Sequence, residues 1–377
     1  MYSESDIEAA VASGALTPQA AAALRESVAA SRALPAVDEE SFRLITGFND
    51  IFVSIAAILL LVAVGWIGSA LGGAIAPSPI LDGPLTQADI DAMQRHVAVA
   101  AGVAGGAIAA ASWLLAEYFT RQRRMALPSI LLLLTFALGF SGAIGGFLGL
   151  SSGALDPRDQ ALFTALVGAL TAGAAYLHWR RFRVPITIAA LTCALAAMVV
   201  SLVIAAVPAA RAAWLWVMLL AGLAMFAFAM WWDMSDRLRQ TRRSDVAFWL
   251  HLAAAPAIAH PIFNLLGVVS DQIGLATGLI VILLYVAFGI VALAVDRRAL
   301  LVSSLFYVLF ALASLFEQAG AVSLNIALTA LVIGSALLLL SAFWHNARRL
   351  VVLRLPATLQ ARLPALDRPL VVTPRPA

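Results

Sequence analysis

Apolar residues in this chain come in long runs separated by short polar stretches. They do not alternate as in a half-buried strand, nor form the narrow stripe of a soluble amphipathic helix. Ten runs approach the roughly 20 residues that a helix needs to cross about 30 Å of hydrocarbon. They cover 51–76, 97–119, 128–150, 160–178, 185–207, 212–232, 246–270, 274–295, 299–316 and 321–344. Helices are predicted because every backbone N–H and C=O in lipid must be paired within its own segment. The alternation of a membrane barrel is missing. The expected fold is all-α, a polytopic transmembrane helix bundle of about ten spans. It divides into a cytoplasmic N-terminal helical hairpin and linker (1–49), the bundle (50–344) and a basic, proline-rich cytoplasmic tail (345–377).

Composition agrees with the runs. Hydrophobic residues make up 62% of the 377 and charged residues 12%. A soluble domain has about 45–50% and about 25%. A cytosolic enzyme, a secreted disulfide scaffold and a nucleic-acid-binding domain are therefore excluded as expectations. All 24 basic residues are arginine. With the abundant alanine, this points to a GC-rich bacterial genome and to the bacterial inner membrane. No signal peptide is expected, because the first 49 residues are polar to mixed.

Arginine positions test the span count independently. With the N-terminus placed inside and the runs alternating, every arginine except Arg95, Arg158 and Arg211 falls in a cytoplasmic segment. Both termini are then cytoplasmic. Trp179, Trp231, Trp232, Trp249 and Trp344 fall at inner helix ends and Trp214 and Trp216 at an outer one, where tryptophan anchors a span. Gly68/Gly72, Gly102/Gly106, Gly142/Gly146 and Gly145/Gly149 are each four apart, which predicts close packing of the first three spans.

Outside the hydrocarbon, residues 3–31 read as a helical hairpin. Ser3 and Asp6 would cap its first helix, Ser13-Gly14 break it, and Thr17-Pro18 start the second. The tail from His345 is expected to be disordered or to lie on the surface, its arginines held by anionic lipid headgroups.

Polar groups at membrane depth are the candidates for function. The seventh run carries most of them, in WLHLAAAPAIAHPIFN. Pro256 and Pro261 each remove a helix hydrogen bond and so predict a kink beside His251, His260 and Asn264. His260 and Asn264, four apart, share a face. His251 and His260 are separated by about 13 Å along a straight helix, too far to share one metal ion. Asp50 is placed to cap the first span, and Glu117, near the inner end of the second, to lie at a similar depth. A pair of carboxylates there would suit a cation. The lone cysteine, Cys193, permits no intramolecular disulfide and no cysteine metal cluster. No catalytic residue, metal or cofactor is expected. Phosphate loops, dinucleotide fingerprints and nucleophile elbows are missing, which lowers the expectation of an enzyme.

Three stretches, GALTPQAAAALRE, FRLITGFNDIFVSIAAILLL and WLHLAAAPAIAHPIF, resemble bacterial membrane proteins of a domain-of-unknown-function family with a short cytoplasmic helical hairpin. The resemblance implies an inner-membrane protein and carries no activity. Three functions stay open: small-molecule transport, a scaffold or regulator acting through the hairpin and arginine-rich tail, and an intramembrane lipid-modifying enzyme. The partners expected are the bilayer, anionic headgroups and a small-molecule substrate, with no nucleic acid.

Overall fold

The computed structural model describes residues 7, 10–24, 48–80, 83–149, 155–239, 241–268, 274–318 and 324–366. The chain separates into two compact units, Thr46–Leu366 and a smaller one of Met1–Ile45 with Asp367–Ala377. In the smaller unit, a helical turn ends at Gly14, whose φ of 75° suits a residue without a Cβ. A second helix over residues 18–24 is capped by Thr17, whose Oγ1 accepts from Ala20 N at 3.1 Å. The Ser3–Asp6 cap lies outside the described residues.

Among the described residues the larger unit contains ten helices long and apolar enough to span a membrane. They are α1 Phe48–Ile75, α2 Gln87–Ala116, α3 Ala126–Gly149, α4 Pro157–Phe182 and α5 Ile186–Ala206. Then follow α6 Trp214–Ser235, α7 Arg242–Leu265, α8 Leu275–Val295, α9 Ala299–Gln318 and α10 Asn325–Ala342. Each coincides with one expected run. The chain is an integral multi-pass membrane protein whose outer surface is in contact with lipid. A π-helical segment, Glu117–Gln122, prolongs α2. Two short helices follow α10: the amphipathic α11 Trp344–Leu353 and the four-residue α12 Ala357–Gln360.

Local chemistry explains the ends. Thr86 and Asp89 form a reciprocal capping box on α2. Asp156 accepts from the N–H groups of Arg158 and Asp159 at the start of α4, with Pro157 in the first turn.

The first three spans pack through small residues. A Cβ on Gly72 would stand 2.6 Å from Ala100 Cα, and one on Gly146 2.5 Å from Ala98 O and Gly102 N. Gly105 and Gly139 face each other's backbones in the same way. The four-residue spacing locates this seam but does not select its glycines. An added Cβ on Gly142 or Gly145 would meet nothing within 4 Å, whereas Gly105 and Gly139 carry a close approach of α2 to α3.

The seventh span is the hub of the second half. More than half of its apolar window is buried, the largest share of any span. Phe263 and Ala259 join Val281 of α8, Val308 of α9 and Ile333 of α10 in one cluster, and Val246 and Leu250 join α5 and α6 in another. The kink predicted from Pro256 and Pro261 does not break the helix, which runs through both. Pro261 leaves the carbonyl of Ala257 without its usual N–H partner. That carbonyl lies against Gly222 of α6, where a Cβ would stand 2.7 Å from Ala257 O. The close approach of α6 thus occupies the site that a missing hydrogen bond opened.

Candidate functional site

The turns α2–α3, α4–α5, α6–α7 and α8–α9 and the segment after α10 share one end of the bundle, the end that collects arginine. All four non-glycine residues with left-handed φ among the described residues lie there: Arg124, Arg183, Arg239 and Asp296. Such a backbone costs about 1–2 kcal/mol for a residue with a Cβ. At Arg239 and Asp296 it is held by an ionic network.

Asp233, in the last turn of α6, is 1% exposed. Its Oδ2 accepts from His251 Nε2 of α7 at 2.8 Å, and its Oδ1 from Arg297 Nη2 of the α8–α9 turn at 2.7 Å. A carboxylate only accepts, so Nε2 of His251 carries the hydrogen. Arg297 also donates to the Ser244 carbonyl at 3.0 Å and lies over the Phe248 ring. Phe226 packs edge-on against His251 at 5.0 Å. Three elements thus meet on one carboxylate with scarcely any water.

A second carboxylate sits beside it. Asp296 closes α8 and accepts from Arg239 Nη1 at 2.8 Å and from the Trp344 indole N–H at 2.8 Å. Arg348 of α11 approaches it to 3.6 Å. Arg348 also donates to the carbonyls of Pro364 and Ala365, and Arg237 to that of Leu363. Val352 and Leu363 complete an apolar contact with Val295. Residues 344–366 are therefore folded onto the bundle, where the prolines and arginines suggested a disordered or surface-lying segment; the rest of that expected tail, 367–377, lies outside the described residues. Trp344, expected as an interfacial anchor, is 5% exposed and tied to Asp296. The expectation failed because α11 places Trp344, Arg348 and Val352 on one buried face, and only the three-dimensional structure supplies their partners.

Burial pushes the Asp296 carboxyl up, but the charges of Arg239 and Arg348, the Trp344 N–H and Arg297 together hold it below its ordinary value. A depressed carboxylate contributes stability that is complete above its unfolded pKa, about 3.9, and is lost as pH falls through the folded one. Residues 344–366 are expected to resist protease at neutral pH and to become cleavable as the pH falls below about 4. In Asp296→Asn the protection should already be weaker at pH 7. Tail cleavage that is indifferent to both changes would show that Asp296 does not hold it.

The residues singled out from sequence are distributed as follows. His251 belongs to the Asp233 cluster. His260 and Asn264 adjoin, as their spacing implied, and bond to one another; His260 also bonds Tyr307 of α9, whose hydroxyl is 2.7 Å from His260 Nδ1. Glu117 accepts from Arg181 of α4 with both oxygens, at 2.7 and 2.9 Å, and from Arg121 at 3.3 Å. Asp50 is buried in the first turn of α1, and Ser54 donates to its carbonyl. Among the described residues no group of three or more His, Cys, Asp or Glu is disposed to hold a metal ion.

Sequence reasoning misses Asp233, Arg297, Arg239, Asp296 and Arg348. Asp233 alone carries a signal, an acid directly following MWW at the end of an apolar run. The arginines read as topology markers, because which of them turn inward depends on how the hairpins dock. Comparisons with family models, curated proteins and solved structures each give no match, so no family is identified for the chain.

Proposed function

We propose that this membrane protein moves a small solute across the bilayer, and that the Asp233–His251–Arg297 cluster is its protonation-sensitive lock. The supporting observation is a carboxylate, an imidazole and a guanidinium, each at most 6% exposed by side chain, tying α6, α7 and the α8–α9 turn together. Desolvating such charges costs several kcal/mol per ion. Ionisable groups kept inside a membrane protein characteristically line proton or substrate pathways.

Histidine is a side chain that can take up a proton and so give the cluster a second charge state. With His251 neutral, Asp233 is balanced by Arg297. Protonation would add a positive charge beside Arg297 and Arg239, opposite Asp233, and so alter the force between α6 and α7. A lock whose charge changes is one way to couple a helix movement to proton binding.

Solid-supported membranes carrying the reconstituted protein test this. Panels of amino acids, monosaccharides and short carboxylates are applied at pH 6 and pH 8. One class should evoke a protein-dependent current that changes with pH in the wild type, and that is at least tenfold smaller in His251→Gln. Absence of current from every class, with folded protein in the membrane, would overturn transport. A current unchanged in His251→Gln would overturn the role of the cluster.

A further inference from the structure

We propose that residues 344–366 form a strap that holds the Asp233–His251–Arg297 cluster closed, an autoinhibitory contact within the chain. The inference rests on the lock described above and adds its restraint. The strap is fastened at two places. At one, Trp344 donates to Asp296 at 2.8 Å and Arg348 approaches the same carboxylate to 3.6 Å, so α11 is tied to the α8–α9 turn. At the other, Arg237 of the α6–α7 turn donates to the carbonyls of Leu363 at 2.8 Å and Gln360 at 3.3 Å, and its own carbonyl accepts from Ala365 N at 3.2 Å. One segment therefore bridges the two turns beside the cluster. Asp233 lies four residues before Arg237, and Arg297 directly follows Asp296.

The strap also reaches the cluster by packing. Val352 and Leu363 join Val295 of α8, with Phe226 and Met230 of α6 packed against them. Phe226 is the same ring that lies edge-on against His251 at 5.0 Å. Apolar strap side chains thus bear on α6 and on the end of α8, and touch the ring that flanks the imidazole. The α8–α9 turn transmits what the strap holds. It is three residues long, 296–298. Arg297 N donates to Ala292 O at 2.9 Å, and Arg239 grips the carbonyls of Val295 and Asp296 at 3.1 Å each. Consecutive Cα atoms are about 3.8 Å apart, so the turn cannot carry Arg297 away from Asp233 while Asp296 stays fixed.

A brake must also let go, and α11 has a second place to lie. Trp344, Arg348 and Val352 face the bundle, while Leu350 and Leu353 are each 57% exposed and Arg349 is exposed beside them. A helix with apolar residues towards its surroundings and basic residues between them can lie in the plane of a headgroup layer. The strap therefore has two seats, one on the turns and one on the lipid surface. A bistable element of this kind is what a switch acts on. Released from the turns, it frees α6 and α7 to separate from the α8–α9 turn.

Maleimide labelling in detergent micelles tests the strap without any solute. Cys193, the chain's one cysteine, is replaced by alanine, and Ser244→Cys supplies the reporter. Ser244 is 9% exposed and its carbonyl is held by Arg297. Arg237→Gln, a change at an exposed position that removes one fastening, should speed labelling at least fivefold, and deletion of 344–377 at least tenfold. Arg349→Gln, which removes an equal charge from the outward face, should leave the rate unchanged. Thr120→Cys, a buried reporter in the π-helical segment at the same end of the bundle, should stay unlabelled throughout. An unchanged Ser244→Cys rate in the folded Arg237→Gln and deleted proteins would overturn the strap. So would an equal rise at Thr120→Cys, which would mean that the tail stabilises the whole bundle. If the deleted chain does not fold, Arg237→Gln decides alone. Faster labelling of Ser244→Cys with no solute current would overturn transport and leave the strap as a restraint on the cluster.

Discussion

Arg297→Gln is expected to destabilise the protein by about 3–5 kcal/mol, because it strands a desolvated carboxylate. Asp233 is 1% exposed and has two charged or chargeable partners, Arg297 and His251. Without the guanidinium, one oxygen keeps only the imidazole N–H and the other loses its short donor at 2.7 Å. Asp233→Asn alone should also be costly, since it leaves Arg297 facing an amide. The double variant Asp233→Asn/Arg297→Gln removes both charges and should recover much of the loss. Unfolding midpoints in mixed micelles titrated with dodecyl sulfate measure all three. Strict additivity of the two single changes would show that the pair does not interact as the geometry states, since coupled groups in contact deviate by about 0.5–3 kcal/mol.

Gly146→Ala is the second large effect, with an opposite control four residues earlier. The added methyl would stand 2.5 Å from Ala98 O and Gly102 N, both backbone atoms of α2. Backbone cannot rotate away, so α2 and α3 must separate. Overpacking of this kind costs about 1–3 kcal/mol. Gly142→Ala has nothing within 4 Å of the new methyl. It should be neutral or stabilising by about 0.5–1 kcal/mol, through the lower conformational freedom of alanine in the unfolded chain. The same titration decides. Equal effects at the two glycines would mean that the α2–α3 seam is not where the geometry places it.

These two predictions differ in how far the sequence foresaw them. The glycine seam was visible as a four-residue period, because backbone proximity in membrane helices has few chemical solutions. Its contact residues were not, since Gly142 and Gly146 are identical in spacing and differ only in which way α3 is rotated. The Asp233–Arg297 pair was not visible at all. Its members are 64 residues apart, in segments whose docking no local pattern encodes. His251 stood out for being a histidine in an apolar run, and its partner was found only once α6 lay beside α7. The tail misled for a related reason. Proline and arginine are frequent in disordered segments, and composition carries no information about an acceptor such as Asp296 waiting on another turn.

The order of helices, their number and the end at which arginine gathers follow from the sequence, because lipid imposes a length and forbids unpaired backbone whatever the neighbours are. Which polar side chains meet, which glycine touches a backbone and whether residues 344–366 lie on the bundle were decided by tertiary structure alone. Those outcomes depend on helix rotation and hairpin docking, which the uniform hydrophobicity of the spans leaves undetermined until small residues and buried charges find complementary surfaces.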